Sequence, residues 1–128
     1  MTEGLEAITT AALGLALDAA SLRQQAIASN IANADSERYV PLRVNFEAQL
    51  EDARRALVSQ GRLDQHALAG VQPRVETAAL DGRGQPPKVM LDVEVAELTR
   101  NAVQYQALVK ALSRHYAILS AAVSEGKK

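Results

Sequence analysis

The chain has 128 residues, the length of one domain, and a formal net charge of −1. The balanced charge gives no pull toward nucleic acid or an anionic membrane, and the absence of cysteine excludes disulfides, thiolate metal sites and a cysteine nucleophile. Apolar residues make up 48% of the chain, yet with one Phe, three Tyr and no Trp much of that share is alanine, which suits long helices packed side by side better than a thick core.

At the N-terminus, small or apolar residues recur at Leu5, Ile8, Ala12, Leu15, Ala19, Leu22, Ala26 and Ser29, ending at Asn33. Steps of three and four held over four heptads are a coiled-coil seam. A second stripe, Leu13, Leu17, Ala20, Ile27 and Ile31, runs beside it. The spacing predicts a helix over 3–34, about 45 Å long. Thr2, Glu3 and Glu6 suit its N-terminal end, where the helix dipole favours anions. Glu3, Glu6 and Asp18 also make this segment unlike a secretory signal, and no run approaches the ~18 apolar residues of a membrane span. The chain is therefore expected to stay in the cytosol or to leave it by a route that reads no cleaved signal.

The middle, 35–90, differs in character. Phe46, Leu50, Ala53 and Leu57 lie at helical spacing, with Gly61 placed as a stop, so a short helix is predicted over 45–60. The stretch AGVQPRVETAAL has room for a brief extended piece, which Pro73 weakens. DGRGQPP reads as a turn or loose loop.

A second long helix is predicted over 91–124. Leu91, Val95, Leu98, Ala102, Tyr105, Val109, Leu112, Tyr116, Leu119 and Val123 form an unbroken four-three seam. Leu108, Ala111, His115, Ile118 and Ala122 widen its apolar face. Asp92, Glu94 and Glu97 fill the first turn, and Gly126, Lys127 and Lys128 follow the last. The expected fold is a single domain, 1–128, mainly α. Two long terminal helices form an α-hairpin or coiled coil, with a short helix and an irregular or small β segment between them. Either the two seams meet within one chain, or the terminal helices pack against neighbouring copies. The second stripes favour the assembly, because one partner helix needs only one seam.

Catalytic patterns are missing. His66 and His115 lie in different segments without metal-ligand spacing, and no Walker, H-E-x-x-H, G-x-S-x-G or G-x-G-x-x-G motif occurs. DGRGQPPK lacks the Ser/Thr and helix start of a phosphate loop. Arg54, Arg55, Arg62 and Arg74 are interleaved with acids and have no aromatic platform for nucleic acid. No enzyme activity, cofactor, metal or small-molecule substrate is expected.

Two asparagines, Asn30 and Asn33, end the first helix on one face, in the stretch SNIANADSERY. This stretch resembles the N-terminal motif of bacterial flagellar axial proteins, the rod and hook subunits, whose pattern runs Asn-Ile-Ala-Asn and then, after two or three residues, Thr-Pro-Gly-Tyr. Asn30, Ile31, Ala32, Asn33 and Tyr39 match it. Ser36, Glu37 and Arg38 replace Thr-Pro-Gly, so the tight turn is expected to loosen and the bend to shift toward Pro41. The following VNFEAQL, with Phe46, and the later Asn101, Tyr105, Gln106, Ala107 and Leu108 resemble the proximal-rod type within that family, FlgB. The matches cover roughly residues 15 to 50 and 88 to 123.

The resemblance implies a structural subunit of the flagellar basal-body proximal rod, assembling with itself and with other rod subunits through its terminal helices. It also implies neighbours at the membrane ring and export gate, and export through the flagellar type III apparatus without a cleaved signal. The asparagine pair is then expected to fix where the helix stops and how the chain turns, and to reach a neighbouring subunit. A helical-hairpin adaptor or chaperone of a secretion system is the rival reading.

Overall fold

A computed structural model describes residues 2–60 and 68–126. Gly61, Arg62, His66, Lys127 and Lys128 lie outside the described residues, as do the side chains of Leu5 and Leu57. The elements run α1 (Thr2–Ala32), β1 (Leu42–Asn45), α2 (Glu47–Gln60), β2 (Arg74–Thr77) and α3 (Leu91–Gly126). The molecule is mainly helical, with a small two-stranded sheet between two long terminal helices.

The two long helices pair within the chain and run antiparallel. Ala20 of α1 meets Asn101 of α3, while Asn30 near the end of α1 meets Glu94 near the start of α3. The last residues of α3, Ser120–Gly126, are all exposed. α1 also packs against both strands, so it is the spine of the fold.

The apolar core lies on α1's other flank, away from α3. Ala19, Phe46, Ala53 and Val71 form it, with Leu15, Ala16, Val44 and Leu50 packed around them. Phe46, the single Phe of the chain, precedes α2, and its carbonyl accepts the Leu50 N–H as the helix begins. The expected start of α2 at residue 45 thus moves to Glu47.

The sheet is antiparallel, with Leu42 opposite Thr77 and Val44 opposite Val75. β2 falls inside the stretch read as briefly extended, and Pro73 stands just before it rather than within it. β1 was not expected. Its four residues are too short for a period-two pattern to stand out, and its partner lies about thirty positions away. The turn read in DGRGQPP is closed by Asp81, whose Oδ1 accepts the Arg83 and Gln85 N–H groups, with Gly84 at φ 76°.

Two expectations need correction. The α3 seam is split. Its residues Leu98, Ala102, Leu112 and Leu119 are half-buried, and they share the inner face with Glu94, Asn101, Leu108 and His115. Leu91, Val95, Tyr105, Val109, Tyr116 and Val123 are exposed. The predicted stripe was wide enough to span two adjacent faces, and pairing with one helix covers only one of them. On α1 the reverse holds. One flank meets α3 and the other is covered by the chain's own middle segment, so a second stripe there does not require a neighbouring copy.

A candidate assembly site: an asparagine lock and an uncovered helix face

Asn30 is buried, and all four hydrogen-bonding positions of its amide are filled. Its Oδ1 accepts the Leu42 N–H at 2.8 Å and the Tyr39 hydroxyl at 2.8 Å. Its Nδ2 donates to the Leu42 carbonyl at 3.1 Å and to Glu94 Oε2 at 3.3 Å. The carboxamide therefore pairs with Leu42 as a neighbouring β-strand would. One side chain ties the end of α1 to the start of β1 and to the start of α3.

Asn33 does a different job. Its Nδ2 donates to the Ser29 carbonyl at 2.8 Å, and its backbone N–H reaches the same oxygen at 3.1 Å, one position past the helix. This satisfies a carbonyl that the ending helix would leave bare. Tyr39 stands over both asparagines' turn. With its proton given to Asn30, its oxygen accepts from Ser29 Oγ at 3.1 Å. Ile31 is half-buried, and Ala32 closes the helix exposed.

Between them the chain turns without Pro-Gly. The Tyr39 N–H reaches the Ser36 carbonyl at 3.4 Å, and Arg38 adopts φ 64°. A positive φ at the third position is what a type II turn demands and what glycine supplies cheaply. The bend therefore stays at Ser36–Tyr39 and does not shift to Pro41, as the missing glycine had implied. Arg38 carries the backbone strain, and the Asn30–Leu42 and Tyr39 bonds on its far side hold it there.

Asn101 is the second buried asparagine, on the inner face of α3. Its Nδ2 donates to the Ala20 carbonyl and to Gln24 Oε1, each at 2.8 Å. Its Oδ1 is buried with no protein partner among the described residues. Tyr105 sits one turn on, largely exposed beside a shallow groove with Ser21, Gln24 and Gln106. The long-helix interface is thus thin: among the described residues no large side chain is fully buried there, and two asparagines fix its register.

The asparagines and Tyr39 stand out in the sequence, but their partners do not. Leu42 acts through its backbone, which no residue type announces. Glu94, read as a dipole partner in the first turn, also receives Asn30 from 64 positions away. Of the other seam residues, Ile8, Leu15 and Leu22 on α1 are half-buried.

One face of α3 is apolar and uncovered. Val95 is 50% exposed, Val109 41%, Tyr116 53% and Val123 58%. From Asn101 to Ser124 the helix carries no acidic residue, and its only full charges are Lys110 and Arg114. Such a face signals an interaction surface.

Little else here resembles chemistry. A cleft of about 390 Å³ at the base of the hairpin mixes Arg23, Arg43 and Lys88 with Glu94 and Glu97. Among the described residues no three His, Asp or Glu side chains are placed to hold a metal ion, and no helix is long and apolar enough to cross a membrane. The clearest shifted groups are Glu51, held below its usual value by the Arg54 hydrogen bond, and Arg54, raised by the same contact. Both lie at the surface of α2, away from the lock, with Glu51 partly covered.

Residues 12–39 match a family model described as flagella basal body rod protein. The matched span runs from the middle of α1 through Asn30, Asn33 and Tyr39, so it covers most of the lock. The match supports a structural component of the flagellar basal body rod that associates with other rod components. No curated protein matches the chain.

Proposed function

We propose that this flagellar rod protein is a proximal-rod subunit that assembles laterally through the uncovered face of α3. The observation that carries the reading is the contrast on that helix. Leu98, Leu112 and Leu119 are used in the chain's own hairpin, while Val95, Val109, Tyr116 and Val123 are left for another surface. A helical array around a channel needs such a second face, because each subunit must touch neighbours as well as itself. Burial of the stripe contributes about 25 cal/mol per Å² before the entropy of association is subtracted.

On this reading the lock is a positioning device. It sets the angle at which the middle segment leaves the hairpin, while assembly energy comes from α3. The chain would act without catalysis or cofactor, and would travel by the flagellar export route without a cleaved signal. Self-contact and contact with other rod and membrane-ring proteins would share the same stripe.

Deletion of the gene, with electron microscopy of basal bodies, tests the role. A non-motile strain with membrane rings but neither rod nor hook is the expected result. Motile cells with complete basal bodies would overturn it, and would favour the adaptor reading.

A further inference from the structure

The small sheet has an open edge. The Ala78 N–H donates to the Pro41 carbonyl at 2.7 Å, which sets the ladder's phase. Residues 74 and 76 of β2 then bond across to β1, whereas the N–H and C=O of Val75 and Thr77 point the other way. β1's corresponding edge is closed at Leu42 by the Asn30 amide. β2's is not: no described residue hydrogen-bonds it, all four of its residues are exposed, and Val75 is 44% exposed. An uncovered edge is a template for another strand.

The sequence of β2 says which strand fits. It reads Arg74, Val75, Glu76, Thr77. Laid antiparallel on a second copy about a two-fold axis through Val75, Arg74 falls opposite Glu76 of the other chain, and Glu76 opposite its Arg74. Both are non-hydrogen-bonded pairs, where side chains approach most closely. Val75 meets Val75 in a hydrogen-bonded pair. The Thr77 N–H reaches the Pro73 carbonyl, and the missing N–H of Pro73 ends the ladder. Arg74 has no ion-pair partner among the described residues, and Glu76 is held only by Asn45 Nδ2 at 3.0 Å.

We propose that two copies of the chain pair through β2 into a four-stranded antiparallel sheet, β1-β2-β2-β1, with two reciprocal Arg74–Glu76 contacts. The inference goes beyond the rod reading and does not depend on it, because the β2 edge makes no use of the α3 stripe. The interface is small, so the pairing is weak, with a Kd on the order of 100 μM. It is an isologous contact, closed at two copies, unlike the open-ended packing expected of α3.

Sedimentation of the full chain over a range of concentrations tests it. The wild-type chain is expected to dimerise. Arg74→Glu and Glu76→Arg place like charges opposite each other twice, and each is expected to raise Kd at least tenfold alone. Their equimolar mixture is expected to pair again, because every cross-chain contact is then opposite in sign. Val75→Pro removes a donor that the chain's own ladder does not use, and is expected to abolish dimerisation. Tyr116→Ser is expected to leave it intact. Circular dichroism confirms that each variant keeps its helices. A wild-type chain that stays monomeric to millimolar concentration would overturn the proposal. So would a dimer indifferent to Val75→Pro, or single variants whose mixture fails to associate.

Discussion

The two flanks of α1 are held by different physics. Toward the middle segment, Phe46 and its neighbours make a dry cluster in which burial supplies the stability. Toward α3, the contact is alanines, half-buried leucines and two asparagines. The first flank resembles the core of a small domain. The second resembles a coiled coil in which polar pins choose the register and little energy is left over. A thin seam leaves α3 with apolar surface that one partner cannot use. The fold therefore couples a self-sufficient flank to one whose helix keeps an uncovered apolar face.

The covered flank is most sensitive at Phe46. Phe46→Ala is expected to cost about 3–5 kcal/mol, because the cluster has no other aromatic to fill the cavity. Urea unfolding should show the loss. A cost below about 1 kcal/mol would mean that the middle segment is not the stable flank. Asn30→Ala comes next, at about 2–3 kcal/mol. It strands the Leu42 N–H and carbonyl together and leaves the Tyr39 hydroxyl only Ser29 Oγ. Hydrogen exchange should then speed at Leu42 and at the start of α3, with less change around Ala53.

Arg38→Gly should sharpen the turn. Relief of the positive φ outweighs glycine's added freedom in the unfolded chain, and a gain of up to about 1 kcal/mol is expected in thermal unfolding. The smallest effect belongs to Glu51. Its folded pKa is depressed by Arg54, so its contribution is present above its unfolded value and fades as pH falls through the folded one. Because the pair lies at the surface, with 63% of the Arg54 side chain and 43% of the Glu51 side chain exposed, Glu51→Gln should change stability barely at all, and any change should vanish in high salt.

Much of the architecture was legible because it is periodic. Steps of three and four over ten residues of α3 announce a helix whatever it packs against. Which side faces inward was less legible, since Leu98, Leu112 and Leu119 belong to the predicted stripe and also to the observed inner face. Contacts distant in sequence were silent. Nothing near Asn30 foretold Glu94, and nothing in LRVN foretold RVET. The turn was misjudged for a local reason: arginine at Arg38 holds a conformation that its side chain disfavours, because the bonds around it leave no alternative.

The central claim is that α3 has one face for folding and another for assembly. Replacing Val95, Val109 and Tyr116 together by serine, on the exposed stripe, separates them. The purified variant should keep its helical circular dichroism and unfold within about 0.5 kcal/mol per site of the parent, as exposed substitutions do. Cells carrying it should be non-motile and lack rods. A variant that unfolds, or one that supports normal motility, would contradict the account.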